Sequence, residues 1–360
     1  MRKVLTSLPE PHLPFLADIA GPDSGAAAPF NGTVSYADFG PGDGPIILYF
    51  GAFGTDHRQM LPLEWTLARD GYRVICVNRP GYAGTSLRAR FADARSTARL
   101  ADHVLQLSFG AKPDWSVCVI GTSGGAPSAL AFASQFPNRA RALTLQGGVS
   151  HPWTGGDGRP EPGGERFVSS MFLPAYRQAF GGEPGQGLLP MLRFGLLAAG
   201  GILAAGSSGR TAAFAGDQWR AAEVADPGRF RFVLNLALGL PLPAASCSPL
   251  PAILHAASSL FSDIAKVPGA VNDFRQILFA KQPFCDWPKI ACPVLILHNP
   301  DDPLVPFAHA EFAFAALTAV PASQKELVKL DVAGHLMWVG RQADEMAARR
   351  AEFLRRHSQN

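Results

Sequence analysis

Apolar runs alternate with segments of helical spacing along most of the chain. "GTVSYADFG" alternates apolar and polar positions as a half-exposed strand does, and "PGDG" after it is a turn. "PIILYFGAFG" is a continuous apolar run ending in glycines, the pattern of a parallel strand buried on both faces. "MLPLEWTLARDG" has helical spacing and a glycine stop, and "YRVICVNRPGYAGTS" is a second buried strand running into a Gly/Pro loop. "STARLADHVLQLSFG" is helical, "WSVCVIG" is a third buried strand, "GAPSALAFASQFP" is a helix of small residues, and "ARALTLQGG" is a fourth strand. The alternation then stops. It resumes with "CPVLILHN", a helix around "FAHAEFAFAALTA", the strand "KELVKLDVAG" and a closing helix. Strands alternating with helices predict an α/β fold: one mostly parallel sheet with helices on both faces.

Between about Ser150 and Lys289 the chain is Gly/Pro-rich and helical, with no buried strand run. This predicts residues 1–149 and 290–360 as two parts of one core, and 150–289 as a helical cap inserted between them. Residues 1–30 are Pro/Ala-rich and are expected to be irregular or wrapped over the surface. No internal repeat is seen.

Composition narrows the classes. With 360 residues, 47% hydrophobic and 17% charged, the chain is long and apolar enough for one large core, which excludes a disordered protein. A net charge of +3, without a basic cluster interleaved with aromatics, argues against a nucleic-acid partner. "ARRAEFLRRH" near the C-terminus reads as the solvated face of a last helix. The five cysteines are an odd number without metal-like pairing: Cys76 and Cys118 sit in strand-like runs, and Cys285 and Cys292 lack zinc spacing. No disulfide framework is implied, and the N-terminal segment is a poor signal peptide, so a cytoplasmic location is expected. "LRFGLLAAGGILAAGSSG" is very apolar, but its uninterrupted part falls short of the roughly 20 residues of a bilayer span. It is expected to form a buried helix pair, with a lipid- or substrate-touching surface as the alternative. No stable membrane span is predicted, and a homodimer is left open.

The chemistry begins at Gly121-Thr122-Ser123-Gly124-Gly125, which matches G-x-S-x-G between a buried strand and a helix. A serine there is either plain turn chemistry or a nucleophile on a sharp bend, with glycines making room for a strained backbone. A serine hydroxyl needs a base, and the base needs an orienting acid. "VLILHNPDDPLVP" supplies an acid after a late strand, and "LDVAGHLMW" supplies His335 after the next. Either alone could be an ordinary loop residue. Three such residues in the order Ser, Asp, His, each following a strand, are hard to ascribe to coincidence.

On these motifs the chain resembles an α/β-hydrolase-fold serine hydrolase with a helical cap, of the kind that includes capped esterases, C–C hydrolases and proline iminopeptidases. The resemblance implies a catalytic triad of Ser123, Asp302 and His335, with Asp302 preferred to Asp301 by the register of the following "PLVP". It implies an oxyanion hole from the amides of Ala52 and Gly124, with Phe53 the alternative to Ala52. The family's His-Gly-x-x-Gly reads here Phe50-Gly51-Ala52-Phe53-Gly54, with Phe50 in the histidine's place. A second family loop, D-R-x-G-x-G-x-S, reads Asn78-Arg79-Pro80-Gly81-Tyr82-Ala83-Gly84-Thr85-Ser86, with Asn78 for the acid and Ala83 for a glycine. "ALTLQGG" has no carboxylate at its end, which removes the acid position some members use there. The resemblance implies no cofactor and no metal. His57, His151, His255 and His298 lack ligand spacing, His298 being expected on the surface or in support of the acid loop. Met337 and Trp338 are read either as pocket lining or as core. The expected reaction is hydrolysis of an ester or lactone of a small hydrophobic molecule, with C–C or N-terminal peptide bonds as alternatives and a non-catalytic receptor as a minority reading. An aspartate nucleophile is excluded by Ser123, and the insertion's single Tyr176 speaks against epoxide opening.

Overall fold

The computed structural model describes residues 15–19, 32–87, 92–109, 115–155, 159–164, 267–280, 282–302, 304–332, 335, 337–338 and 341–358. The apolar runs become the strands β2 (Gly32–Phe39), β3 (Ile46–Phe50), β4 (Arg73–Val77), β5 (Val117–Thr122), β6 (Ala140–Gln146), β7 (Val294–His298) and β8 (Lys325–Lys329). The α-helices among the described residues are α1 (His57–Arg69), α2 (Ala94–Phe109), α3 (Ala126–Gln135), α4 (Val267–Phe279), α5 (Ala308–Ala316) and α6 (Ala343–Ser358). One further strand, β1 (Phe15–Ile19), corrects the expectation of an irregular N-terminus. It pairs antiparallel with β2, from Phe15 opposite Tyr36 to Ile19 opposite Gly32. Its five residues hold too little pattern to stand out among the surrounding prolines and alanines, and the strand depends on β2 as its partner.

The sheet has eight strands in the order β1-β2-β4-β3-β5-β6-β7-β8. β2 pairs antiparallel with β4, and every pairing from β4 to β8 is parallel. Alternate residues of each central strand feed opposite faces, as the period of two requires. Leu48, Phe50 and Val119 join the core cluster shared with α2 and α3, whereas Ile47, Tyr49 and Ile120 join the one shared with α1 and α6. Both faces are thus covered, which is why the strands read as unbroken apolar runs.

β6 and β7 are neighbours, from Leu143 opposite Val294 to Gln146 opposite Leu297, although the expected insertion lies between them. The described ends of that segment pack onto the core: Trp153, Ile277, Leu278, Phe284 and Cys285 belong to the α2–α3 cluster. Ser134 Oγ on α3 accepts from the Asp286 amide at 2.9 Å, so the returning chain runs beside α3 towards the start of β7. Residues 165–266, with the apolar Gly/Ala stretch and His255, lie outside the described residues. Among the described residues no helix is long and apolar enough to cross a membrane.

The last helix departs from its reading as a wholly solvated basic face. Arg350 is 2% exposed and pairs with buried Glu64 of α1, Nη1 to Oε2 at 2.6 Å. Arg350 shares its helical face with Met346, Phe353 and Leu354, which are buried. Met337 and Trp338, left between pocket and core, are core residues packed with α6.

Candidate active site

The strand β5 ends at Thr122, and Ser123 turns the chain into a single turn of 3-10 helix, Ser123–Gly125, that continues as α3. Ser123 has φ of 51°, in the left-handed region that a side chain occupies at a cost of about 1–3 kcal/mol. Close packing holds it there. A Cβ on Gly121 would stand 2.6 Å from the Ala129 Cβ, and one on Gly125 only 2.3 Å from the carbonyl oxygens of Phe50 and Gly51. The G-x-S-x-G spacing therefore lets α3 lie against both β5 and the loop after β3. The Ser123 carbonyl accepts from Val149 N at 3.1 Å, tying the bend to the start of the insertion.

Three side chains that the sequence singles out meet at this bend. His335 Nε2 lies 2.8 Å from Ser123 Oγ, and His335 Nδ1 lies 2.6 Å from Asp302 Oδ2. An ionised carboxylate can only accept, so Nδ1 carries the proton and Nε2 is left to receive one from Ser123. The other carboxylate oxygen, Asp302 Oδ1, accepts from the amides of Leu304 and Val305 at 2.8 and 3.0 Å. Asp301 is exposed and holds its place through its backbone, its amide donating to Asn299 Oδ1 at 2.9 Å.

Burial and charge act in opposite senses here. Burial opposes the charge on Asp302, but His335, the bond from it, His298 and the Val305 amide prevail and lower its pKa. Burial also opposes a charge on His335, but the Asp302 carboxylate outweighs it and raises the imidazole above its ordinary value. His298 is wholly buried rather than at the surface, with its ring under the acid loop. Its Nε2 donates to the Val305 carbonyl at 2.8 Å and stands 3.7 Å from Asp302 Oδ2; burial lowers its pKa, so it serves as a neutral prop. At the end of β6, Gly147 has φ of 52°, and a Cβ there would stand 3.5 Å from His335 Nδ1.

The loop after β3 lies against the bend. A Cβ on Gly124 would stand 3.1 Å from Phe53 N and 2.9 Å from Phe53 Cβ, so residues 51–54 and 124–125 are in contact. Of the two expected partners for the Gly124 amide, Phe53, the alternative to Ala52, is the one whose backbone lies against Gly124. Phe50, where the family pattern has histidine, is fully buried in the core. Asn78, in place of the pattern's acid, ties the loop down: Oδ1 accepts from the His57 amide at 2.9 Å at the start of α1, while Nδ2 donates to Ser35 Oγ at 2.7 Å. Ala83, in place of the other glycine, keeps a left-handed φ of 46°.

Sequence reading missed two groups. Beneath the bend, Glu64 Oε1 accepts from Tyr49 OH, Gln146 Nε2 and Trp338 Nε1 at 3.0, 3.2 and 3.2 Å, and Arg350 Nη1 also donates to Gln146 Oε1 at 2.7 Å. Tyr49 OH and Gln146 Nε2 reach Thr122 Oγ1, beside Ser123, at 2.7 and 3.0 Å. Behind the 51–54 loop, Arg79 pairs with Asp273 of α4, Nη2 to Oδ2 at 2.7 Å. Only a G-x-S-x-G serine advertises itself by local spacing; these charges find partners through the fold. Among the described residues no group of three or more His, Cys, Asp or Glu side chains is placed to hold a metal ion.

Comparisons with known proteins agree with this architecture. A family profile described as "alpha/beta hydrolase fold" matches residues 45–183. A curated relative, the uncharacterized hydrolase YcgS of Bacillus subtilis (strain 168), is 36% identical over 126 residues, covering 34% of this chain and 40% of that protein's length. Among solved structures, an alpha/beta hydrolase fold protein from Nakamurella multipartita superposes with a TM-score of 0.60 at 24% identity, over 95% of this chain and 99% of that one. The esterase RhEst1 from Rhodococcus sp. ECU1013 superposes with a TM-score of 0.55 at 15% identity, over 90% and 95% of the two chains. The chain has the α/β-hydrolase fold.

Proposed function

We propose that this protein is a serine hydrolase that cleaves a carboxylic ester or lactone of a hydrophobic small molecule through an acyl-serine intermediate. The observation that carries the reading is the hydrogen-bonded chain from Ser123 through His335 to Asp302, with His335 Nε2 facing the hydroxyl. In this reading His335 takes the Ser123 proton as Oγ attacks the carbonyl carbon, and buried Asp302 stabilises the imidazolium that forms. The tetrahedral oxyanion is held by the amides of Gly124 and of Ala52 or Phe53, each such donor lowering the barrier by about 3 kcal/mol. His335 returns the proton to the leaving alkoxide. Water then attacks the acyl-serine with His335 as base, releasing the acid.

The ester is the first bond to test because named esterases share this fold. The segment 150–289 is proposed as a cap over the site. Its supports are its placement between the neighbouring strands β6 and β7 and the bond from Val149 N to the Ser123 carbonyl at its start. The test is labelling with a fluorophosphonate, followed by a panel of esters, lactones, amides and diketones. Labelling at Ser123 with turnover of esters or lactones supports the proposal; absence of labelling at Ser123, or turnover confined to amides or diketones, overturns it.

A further inference from the structure

The 51–54 loop is held from behind by a buried cation. Arg79 Nη1 donates to the carbonyl of Gly51, and Nη2 donates to the carbonyl of Ala52 at 2.9 Å. These two carbonyls belong to the peptide groups whose N–H ends are the amides of Ala52 and Phe53. In a trans peptide the C=O and N–H point in opposite directions. Fixing both carbonyls on the guanidinium therefore fixes both amides away from it. Phe53 N lies on the Gly124 side, 3.1 Å from where a Gly124 Cβ would stand. Thr55 also bonds the Ala52 carbonyl, through its amide at 3.2 Å and its hydroxyl at 2.7 Å.

The guanidinium is held in turn. Arg79 Nε and Nη2 donate to Asp273 Oδ1 and Oδ2 at 3.3 and 2.7 Å, and Tyr82 OH donates to Asp273 Oδ2 at 2.8 Å. Gly54 N donates to the same Tyr82 oxygen at 3.2 Å, so the loop is gripped at both ends. The side chains of Arg79 and Asp273 are 2% and 1% exposed. Asp273 stands on α4, the helix on the return side of the insertion. One planar fork thus spans two peptide carbonyls and one carboxylate, a task for which a lysine's point charge has the wrong shape.

We propose that Arg79, oriented by Asp273 and Tyr82, is a positioning residue that holds the peptides after Gly51 and Ala52 with their amides turned towards the reacting oxygen. The inference rests on the serine-hydrolase reading. Without the fork, the Gly51–Ala52 peptide, flanked by a glycine, can rotate and turn its carbonyl into the site, which would repel an oxyanion.

The test is Arg79→Lys, which keeps a cation for Asp273 but loses the fork. Hydrolysis of p-nitrophenyl acetate and inhibition by phenylboronic acid, which forms a tetrahedral adduct on serine, are measured together. The expected result is a kcat lower by about 100-fold with KM within twofold, and a boronate inhibition constant weaker by a similar factor. A folded variant with kcat and boronate affinity within threefold of wild type overturns the proposal, as does a loss confined to KM or one that spares the boronate. Should Arg79→Lys melt at assay temperature, the neutral pair Arg79→Met/Asp273→Leu leaves no orphaned charge and is read by the same criteria. Wild-type protein that neither turns over esters nor binds the boronate sinks the hydrolase reading and the clamp with it. An active wild type with unaffected variants sinks the clamp alone.

Discussion

Two buried clusters lie on either side of the bend at Ser123, and both are made of a carboxylate, a cation or proton carrier and hydroxyls. Above it are Asp302, His335 and Ser123; beneath it are Glu64, Arg350, Tyr49 and Thr122. The upper cluster ends in an imidazole that is 16% exposed. The lower one is sealed, with the side chains of Arg350 and Glu64 at 3% and 1% exposure. In the serine-hydrolase reading the same ingredients relay a proton where one member stays partly exposed. They make a rivet where no member does. The lower cluster ties α1, β3, β5, β6 and α6 together under the strained serine, which is what a left-handed φ at a non-glycine requires to persist.

Mutations should separate the two. Ser123→Ala should have the largest effect, a loss of turnover on the order of 10⁶-fold with phosphonate labelling abolished and the melting temperature unchanged. Labelling that survived would place the nucleophile elsewhere. Asp302→Asn should lower kcat by about 10⁴-fold, whereas Asp301→Asn should stay within a few-fold. Reversed losses would show that the acid is Asp301.

The pH profile sharpens the contrast. His335 must be neutral to accept a proton, and Asp302 raises its pKa, so activity should fall as pH drops through a value above about 6.5, the ordinary imidazole value. In Asp302→Asn the carboxylate is gone and burial remains, so the acid limb of the residual activity should move to lower pH. An unmoved limb in kcat/KM would mean that another group controls it.

Below the bend the expected effects are on stability. Arg350→Met leaves Glu64 buried and uncompensated, and should cost about 3–5 kcal/mol in denaturant unfolding. The folded fraction should keep its KM and its acid limb. Glu64→Leu combined with Arg350→Met should recover most of that loss. A change of pH profile in either variant would join the lower cluster to the relay and break the distinction. The smallest effect is expected at Ala83→Gly, which removes a left-handed alanine and should stabilise by less than about 1 kcal/mol, the unfolded chain's added freedom offsetting part of the gain.

What was readable in the sequence follows the range of the interaction. The central strands are legible because they are buried on both faces, and β2 because it alternates. Ser123, Asp302 and His335 stand out because each follows a strand, and parallel strands deliver their ends to one edge. β1 escaped notice because five residues derive their order from β2. Arg350 read as one of several solvated arginines because its partner Glu64 sits on the first helix. Arg79 was visible as a loop motif, but its contact with Asp273 spans most of the chain. Short-range patterning names elements and reactive groups; it does not name the charges that hold them in place.

Gly147 carries a consequence for how such a site changes over evolution. Its Cα lies at the end of β6, and a side chain there would begin 3.5 Å from the imidazole nitrogen that now donates to Asp302 on the neighbouring β7 loop. Two adjacent strand ends thus address one histidine, and only one of them bears an acid. A carboxylate at position 147 would need the left-handed φ of 52° and would start 3.6 Å from Asp302 Oδ2, so while Asp302 stays in place a second acid on this strand end meets both backbone strain and a like charge.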